Sequence, residues 1–176
     1  MTNRFRDDHL ATVTPPRMST EQIDELLAMR LIANLATISD DGSIHLVPMW
    51  FKRDGAFVLI PTSQFTRKYK NVVKRPRASV MIDVSGSGMN LRGILIAGRV
   101  EIVRGDDARA LNRSIHLRYI TSEGLAQDDV AAYLVEGDDV TLKISMDKVV
   151  TWNHAESPAG QAIARSGNFH PLDQQG

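Results

Sequence analysis

The chain has 176 residues, of which 43% are hydrophobic and 24% are charged, and it contains no cysteine. At about 100–200 residues per domain, this length indicates one domain with a substantial core. The lack of cysteine excludes disulfide bonds, thiolate metal clusters and a cysteine nucleophile. No apolar run approaches the roughly 20 residues that cross a bilayer, and the first residues lack the apolar segment of a signal peptide. We therefore expect a cytoplasmic protein with no membrane partner.

The net charge is zero, with 21 basic and 21 acidic side chains, but these charges are unevenly distributed. Residues 67–77 carry six basic and no acidic groups, whereas residues 106–176 carry six basic and eleven acidic groups. A neutral chain argues against a protein that coats nucleic acid or an anionic membrane. A short basic segment within such a chain indicates a single local anion.

The first predicted elements follow residues 1–18, which show no periodicity and are interpreted as a flexible arm. Ser19 and Gln22 form a capping-box pattern, which predicts a helix that ends near Arg30. Three strands follow, and both turns between them contain Asp-Gly, which suits the positive φ angles of tight hairpins. Three consecutive strands of this kind favour a sheet that closes on itself over a βαβ unit. These strands are predicted over residues 31–39, 44–52 and 56–60.

The second half begins with a short helix, predicted from Arg67 to about Lys74, because Pro76 restricts the residue before it. Gly98 lies inside a long predicted strand and indicates a bulge or the close approach of another backbone. The sequence thus predicts a small, mainly β, antiparallel barrel of six or seven strands with peripheral helices. The barrel domain covers residues 19–153, and residues 154–176 are interpreted as a mobile tail. The other predicted strands cover 78–84, 90–103, 139–146 and 148–152, and the other predicted helices cover 106–120 and 128–135.

The segment at residues 61–71, Pro-Thr-Ser-Gln-Phe-Thr-Arg-Lys-Tyr-Lys-Asn, is the most informative for function. It places hydroxyl groups and cations where a strand ends and a helix begins. The free backbone N–H groups of the helix, the Thr66 hydroxyl and the charges of Arg67 and Lys68 can together hold a phosphate monoester. A solvated basic helix explains the spacing equally well. A nucleic-acid surface would need more aromatic side chains among the cations than Tyr69 alone.

Three segments of the sequence carry a family resemblance. Residues 46–52 and the following Asp-Gly turn resemble a strand and hairpin, and residues 91–101 resemble a strand written Arg-x-Val-x-x-x-Gly-x-Val-Glu. Residues 62–68 resemble a phosphate loop written Thr-Asn-Tyr-x-Ser-Arg-Lys, with substitutions at Ser63, Gln64 and Thr66. In this order the segments are similar to the pyridoxamine 5′-phosphate oxidase-like family of FMN-binding split barrels, and to its deazaflavin-dependent branch.

The resemblance implies a split barrel that forms a homodimer, with a cofactor groove at the dimer interface. It implies that the phosphate of FMN or of coenzyme F-420, a deazaflavin, is bound by Thr66, Arg67 and Lys68. Asn71 matches the deazaflavin branch, whose cofactor also has an anionic tail that Lys70, Lys74 and Arg77 would suit. The residues that the resemblance places around the ring are Val47, Pro48, Met49, Trp50, Pro61, Thr62 and Ser63.

The resemblance further implies an oxidoreductase that transfers hydride to or from a small organic substrate. Residues 149–154 read Val-Val-Thr-Trp-Asn-His where pyridoxamine phosphate oxidases have an Arg-x-His element, so pyridoxamine phosphate is not the expected substrate. No side chain is assigned a catalytic role. The five histidines show no metal-ligand spacing, so no metal site is expected. The alternative is a non-catalytic carrier of flavin or haem.

Overall fold

The computed structural model describes residues 15–84, 91–137 and 139–168. Most of the predicted arm and the end of the predicted tail lie outside these ranges, and their mobility stays a prediction. The chain divides into two compact units, of which the larger comprises residues 27–82 and 95–149. No helix in the described ranges is both long enough and apolar enough to cross a membrane.

The described residues form eight strands in one sheet. They are β1 (Ala33–Ile38), β2 (Ile44–Met49), β3 (Lys52–Asp54), β4 (Phe57–Thr62), β5 (Arg77–Val84), β6 (Arg92–Arg104), β7 (Val140–Ser145) and β8 (Lys148–Asn153). The strand order is β2-β1-β5-β6-β7-β4-β3, and β8 pairs with β6. The β1–β2, β1–β5, β3–β4, β4–β7 and β6–β7 pairs are antiparallel. The predicted antiparallel split barrel with peripheral helices is confirmed.

The single strand predicted over residues 44–52 is in fact two strands. β2 pairs with β1 as far as Met49, and β3 pairs with β4 from Lys52 onward. Trp50 and Phe51 lie between them and belong to neither strand. We call these two residues the Trp50–Phe51 link. Because β2 and β3 stand at opposite ends of the strand order, the link joins the two ends of the sheet, and it raises the strand count from the predicted six or seven to eight.

The helices agree with the predictions except in two places. The capping box is confirmed, since the backbone N–H of Gln22 donates to the Ser19 hydroxyl (3.2 Å) and the Ser19 N–H donates to the Gln22 side chain (2.9 Å).

The short helix α4 and the C-terminal helix α6 were not predicted. The helices are α1 (Thr20–Ala28), α2 (Arg67–Lys74), α3 (Gly105–Tyr119), α4 (Ser122–Leu125), α5 (Asp128–Gly137) and α6 (Pro158–Ser166), with a 3₁₀ turn at His154–Glu156.

Helix α6 lies within residues 154–176, which the sequence analysis interprets as a mobile tail without a helix. Ser157 caps the helix by accepting a hydrogen bond from the backbone N–H of Gly160 (3.0 Å). Pro158 occupies the first turn, where its missing N–H costs nothing. Gly167 ends the helix with a φ of 65°, which glycine adopts without strain. The residues that suggested a tail are therefore the residues that begin and end a helix.

A buried polar cluster sets the rotation of α3 about its own axis. The side-chain amide of Asn112 donates to the Val140 carbonyl oxygen (3.0 Å), and the Thr141 hydroxyl donates to the Asn112 side-chain oxygen (2.6 Å). Asn112 and Thr141 are fully buried. These bonds attach one face of α3 to β7, and residues near i+4 and i+7 from Asn112 share that face. His116 and Tyr119 are thereby directed inward.

The close approach predicted at Gly98 is confirmed. A Cβ atom on Gly98 would lie 1.7 Å from the carbonyl oxygen of Ser145. The Ser145 hydroxyl also accepts a hydrogen bond from the backbone N–H of Arg99 (2.9 Å). The start of the β6–β7 pairing therefore leaves no space for a side chain at residue 98.

Candidate functional site

The junction of β4 and α2 concentrates hydroxyl groups and free backbone N–H groups. Thr66 is the N-cap of α2, and its hydroxyl accepts from the backbone N–H of Tyr69 (3.4 Å). The same hydroxyl donates to the Ser63 carbonyl oxygen (2.8 Å) and lies 2.9 Å from the Thr62 hydroxyl. Because Thr66 has one hydroxyl hydrogen, Thr62 is then the donor of the second contact. The first turn of α2 carries no acidic residue, so no carboxylate of that turn competes with a bound anion for its positive end.

Lys68 is the cation that belongs to this junction. Its side chain is half-buried, and it lines a cavity beside Thr62 and Thr66. Burial lowers the pKa of Lys68, because the charged ammonium loses part of its hydration. A bound anion would replace that lost hydration. The arrangement of a desolvated cation, hydroxyl groups and a helix N-terminus is suited to a phosphate group.

The cavity beside Lys68 has a volume of about 470 Å³ and lies within the larger unit. This volume falls in the range of small-molecule sites, which is roughly 300–1,000 Å³. Its apolar lining residues are Ile32, Pro48, Met49, Trp50 and Pro61. Its polar lining residues are Thr62, Ser63, Thr66, Lys68 and His116, and Gly137 at the end of α5 completes the lining. An apolar wall with a few polar groups is typical of a site for a planar ligand with one polar end.

Trp50 forms an aromatic cluster on the apolar side of the cavity. Its ring stacks on Tyr119, with centroids 5.1 Å apart and planes within 5°, and meets His116 edge-on at 5.6 Å. The Tyr119 hydroxyl accepts from the backbone N–H of Phe51 (3.3 Å) and donates to the Leu31 carbonyl oxygen (2.7 Å). The Trp50–Phe51 link is therefore held on α3 by both ring contact and hydrogen bonds.

The structure brings eight of the eleven predicted cofactor-binding residues to this cavity. Val47, Arg67 and Asn71 do not line it. Val47 is partly buried on β2, and Arg67 is exposed. The eight that line the cavity are Pro48, Met49, Trp50, Pro61, Thr62, Ser63, Thr66 and Lys68.

Two polar residues of α2 make contacts with β1 and with the turn that follows it. The Asn71 amide is buried and donates to the hydroxyls of Thr37 (3.0 Å) and Ser39 (3.5 Å). Lys74 forms an ion pair with Asp40. These contacts fix α2 against the first hairpin, so Asn71 supports the junction from behind the cavity.

Three lining residues were missed by the sequence analysis: Ile32, His116 and Gly137. His116 was given no role in the sequence analysis, because the histidines show no metal-ligand spacing. Its position on one helical face with Asn112 and Tyr119 is a usable signal of an inward orientation. Ile32 and Gly137 carry no comparable signal. The described residues contain no group of three or more side chains that could hold a metal ion.

Comparison with known proteins identifies the family. The sequence model described as pyridoxamine 5′-phosphate oxidase matches residues 19–153, which is most of the chain. The chain belongs to the pyridoxamine 5′-phosphate oxidase family. Comparison with curated proteins gives no match.

Proteins of several different kinds have solved structures of similar fold. A conserved hypothetical protein from Mycobacterium tuberculosis aligns with a TM-score of 0.67 and 24% identity, over 93% of this chain and 96% of that one. An F-420 reductase aligns with a TM-score of 0.57 and 25% identity, over 72% of this chain and 94% of that one. The haem storage protein HutZ from Vibrio cholerae aligns with a TM-score of 0.59 and 14% identity, over 76% of this chain and 94% of that one.

The donor set of the cavity fits the phosphorylated flavin that the family implies. Lys68 and the N-terminus of α2 offer donors to a phosphate, and Trp50 with its apolar neighbours offers a surface for a ring. The chain thus combines the fold of the family with a cavity whose donors suit a phosphorylated flavin.

Proposed function

We propose that this protein is an oxidoreductase that binds coenzyme F-420 or FMN and transfers hydride to or from a small organic substrate. The observation that supports this proposal best is that one cavity combines a half-buried lysine and two threonines with a tryptophan-containing apolar wall. When bound, the cofactor supplies the hydride chemistry. The chain itself binds the phosphate, orients the ring and excludes water.

Each part of the cavity has a distinct role in this proposal. Lys68 and the backbone N–H groups at the start of α2 bind the phosphate, with Arg67 adding positive charge from the surface, and the threonine hydroxyls hold the β4–α2 junction in shape. Pro48, Met49 and Trp50 contact the ring, and the Tyr119 hydroxyl keeps the Trp50–Phe51 link in place. No side chain is required as a nucleophile.

Three observations favour the deazaflavin over FMN. The final strand lacks the Arg-x-His element of pyridoxamine phosphate oxidases. Lys70 and Arg77 are exposed on or next to α2, where they could meet an anionic tail. The F-420 reductase is among the similar structures at 25% identity.

Titration of the purified protein with each cofactor tests the proposal. We expect coenzyme F-420 to bind more tightly than FMN, measured by the change in cofactor fluorescence at fixed ligand and increasing protein. Riboflavin, which lacks the phosphate, serves as the matched control ligand for FMN and should bind more weakly than FMN. Failure of both cofactors to bind would reject the proposed function.

A second candidate function is that of a non-catalytic carrier. It is favoured by the likeness in fold to a haem storage protein. Incubation of the loaded protein with a panel of electron acceptors separates the two functions, because a carrier holds its ligand without turning over any acceptor.

We also propose that the protein is a homodimer whose interface borders the cavity. The outer face of the β1–β2 hairpin is apolar and exposed: Ile44 is 73% and Leu46 is 61% exposed, and Ile38 pairs with Ile44. Pro48 lies on the same face of β2, since alternate side chains point the same way, and it also lines the cavity. A partner on this face would cover both features.

We expect Leu46→Glu to convert the dimer into a monomer, because it would place a charge in a desolvated apolar interface. Light scattering coupled to size exclusion measures the mass directly. Lys52→Glu on β3 is the charge control and should leave the dimer intact. A wild-type protein that elutes as a monomer at all concentrations would contradict this proposal.

A further inference from the structure

The polar groups of the cavity come from two separate elements. Thr62, Thr66 and Lys68 belong to the β4–α2 junction, where a phosphate group is expected. Within the described part of the chain, His116 is the one lining residue that α3 supplies. A ligand whose phosphate lies at the β4–α2 junction would therefore meet one further polar side chain, His116, on another side of the cavity.

His116 is held in a defined orientation. It is 6% exposed, and it lies one helical turn after Asn112, which is bonded to β7. The Trp50 ring packs against it at 69°, and Trp50 in turn stacks on Tyr119. Polar side chains fixed in an apolar wall give a binding site its orientation and specificity, because a ligand that leaves them unbonded loses free energy.

We propose that His116 hydrogen-bonds the ring end of the ligand while Lys68 binds its phosphate, and this inference rests on the proposed function. The ligand class is a phosphate ester of a planar heterocycle with carbonyl or nitrogen atoms at its edge. An imidazole both donates and accepts hydrogen bonds, so it can bind either kind of edge atom. Trp50 beside it supplies flat apolar contact for the ring. His116 is thus a binding residue that distinguishes such a heterocycle from a purely hydrocarbon ring.

The test separates the two ends of the ligand. Wild type, His116→Leu, His116→Gln and Lys68→Ala are titrated with FMN and with riboflavin, which shares the ring but lacks the phosphate. We expect His116→Leu to weaken both ligands by about fivefold, the usual effect of one neutral hydrogen bond. His116→Gln keeps a hydrogen-bonding group and should restore most of the affinity. Lys68→Ala should weaken FMN and leave riboflavin unchanged.

The visible spectrum of the bound ring gives a second measurement, independent of turnover. A hydrogen bond to the ring edge changes its absorption, so the bound spectrum should differ between wild type and His116→Leu and be recovered in His116→Gln. If only the deazaflavin binds, coenzyme F-420 and its phosphate-free deazariboflavin replace FMN and riboflavin in the same scheme.

Several outcomes would overturn the inference. If His116→Leu bound both ligands as wild type does while Lys68→Ala lost FMN, the role of His116 would be wrong and the proposed function would stand. If wild type bound no flavin or deazaflavin, the proposed function would fail first. If wild type bound hemin instead, with a Soret band altered in His116→Leu, His116 would be an iron ligand.

A folding control keeps the test decisive. Each variant is compared with wild type by its thermal unfolding midpoint. Should His116→Leu fail to fold, His116→Gln and His116→Asn replace it, since the shorter asparagine cannot reach as far as glutamine. We expect glutamine to retain the affinity and asparagine to lose it, and wild-type affinity in both would overturn the inference.

Discussion

Lys68→Ala is expected to lower the affinity for FMN or coenzyme F-420 by about 10- to 150-fold. A hydrogen bond to a charged partner contributes about 1.5–3 kcal/mol, and each 1.4 kcal/mol is a factor of about ten. Lys68 is half-buried in the cavity, so little water is available to replace it. Fluorescence titration of the purified variant measures the loss.

Lys70→Ala is the matched control, because Lys70 is an exposed lysine on the same helix. Its loss should change FMN binding by less than threefold, the small effect expected of a solvent-screened charge. Equal affinities of wild type and Lys68→Ala for FMN would show that the phosphate lies elsewhere.

The pH dependence of binding follows from the same residue. Burial lowers the pKa of Lys68 in the folded protein. The protonated form binds the phosphate, so the affinity for FMN is highest between the second pKa of the phosphate, about 6, and the pKa of Lys68, and it falls as the pH rises through the latter. The fall should begin at a lower pH than an exposed lysine would give, and it should be absent in Lys68→Ala. In the unliganded protein, protonated Lys68 lowers the stability, because its charge is desolvated in the folded state and this cost is fully present below its folded-state pKa. The alanine variant should therefore lose no stability.

Gly98→Ala is expected to destabilise the fold by about 3 kcal/mol, at the upper end of the usual cost of overpacking. Its new Cβ atom would lie 1.7 Å from the Ser145 carbonyl oxygen, which is backbone and cannot rotate away. The Arg99 N–H donates to the Ser145 hydroxyl (2.9 Å) and to the Asp147 carboxylate (3.2 Å), so β6 and β7 cannot separate without losing these bonds. Chemical denaturation gives the free energy of unfolding.

Ala97→Gly is the control on the same strand, since it changes backbone freedom without adding an atom. Its cost should stay near 0.5–1 kcal/mol. A denaturation midpoint of Gly98→Ala that matches wild type would show that β6 and β7 are further apart than the structure places them.

The sequence predicted elements whose signals are local. Helix α2 is bounded by its own N-cap, Thr66, and by the restriction that Pro76 places on Arg75, so its limits match the prediction. Helix α6 also has local signals, the Ser157 cap and Gly167, but their residue types were interpreted as tail composition. Ser, Pro and Gly are common both in irregular tails and at helix ends, so their presence alone did not identify helix α6.

The site was predictable only in part. The β4–α2 junction is a continuous segment, so its hydroxyl groups and Lys68 could be identified from neighbouring residues. The helical face that His116 shares with Asn112 and Tyr119 indicates that it points inward, but the strands on which α3 packs are distant in sequence, so its place in the cavity is not encoded locally. Asn71 is the converse case: it lies near the junction, but its side chain is bonded to Thr37 and does not line the cavity. Which face of a helix is buried, and against which element, depends on the tertiary packing, and the local sequence does not specify that packing.

The Trp50–Phe51 link has a consequence for how such a protein can diversify during evolution. An insertion or deletion at this link would alter both the ligand-facing wall and the connection between β2 and β3. We therefore expect changes in its length to be selected against for two separate reasons. Lining residues outside the link, such as Ile32 and Gly137, are free of the second constraint. We therefore expect inherited changes of substrate preference to accumulate at those two positions, while residues 50 and 51 vary little.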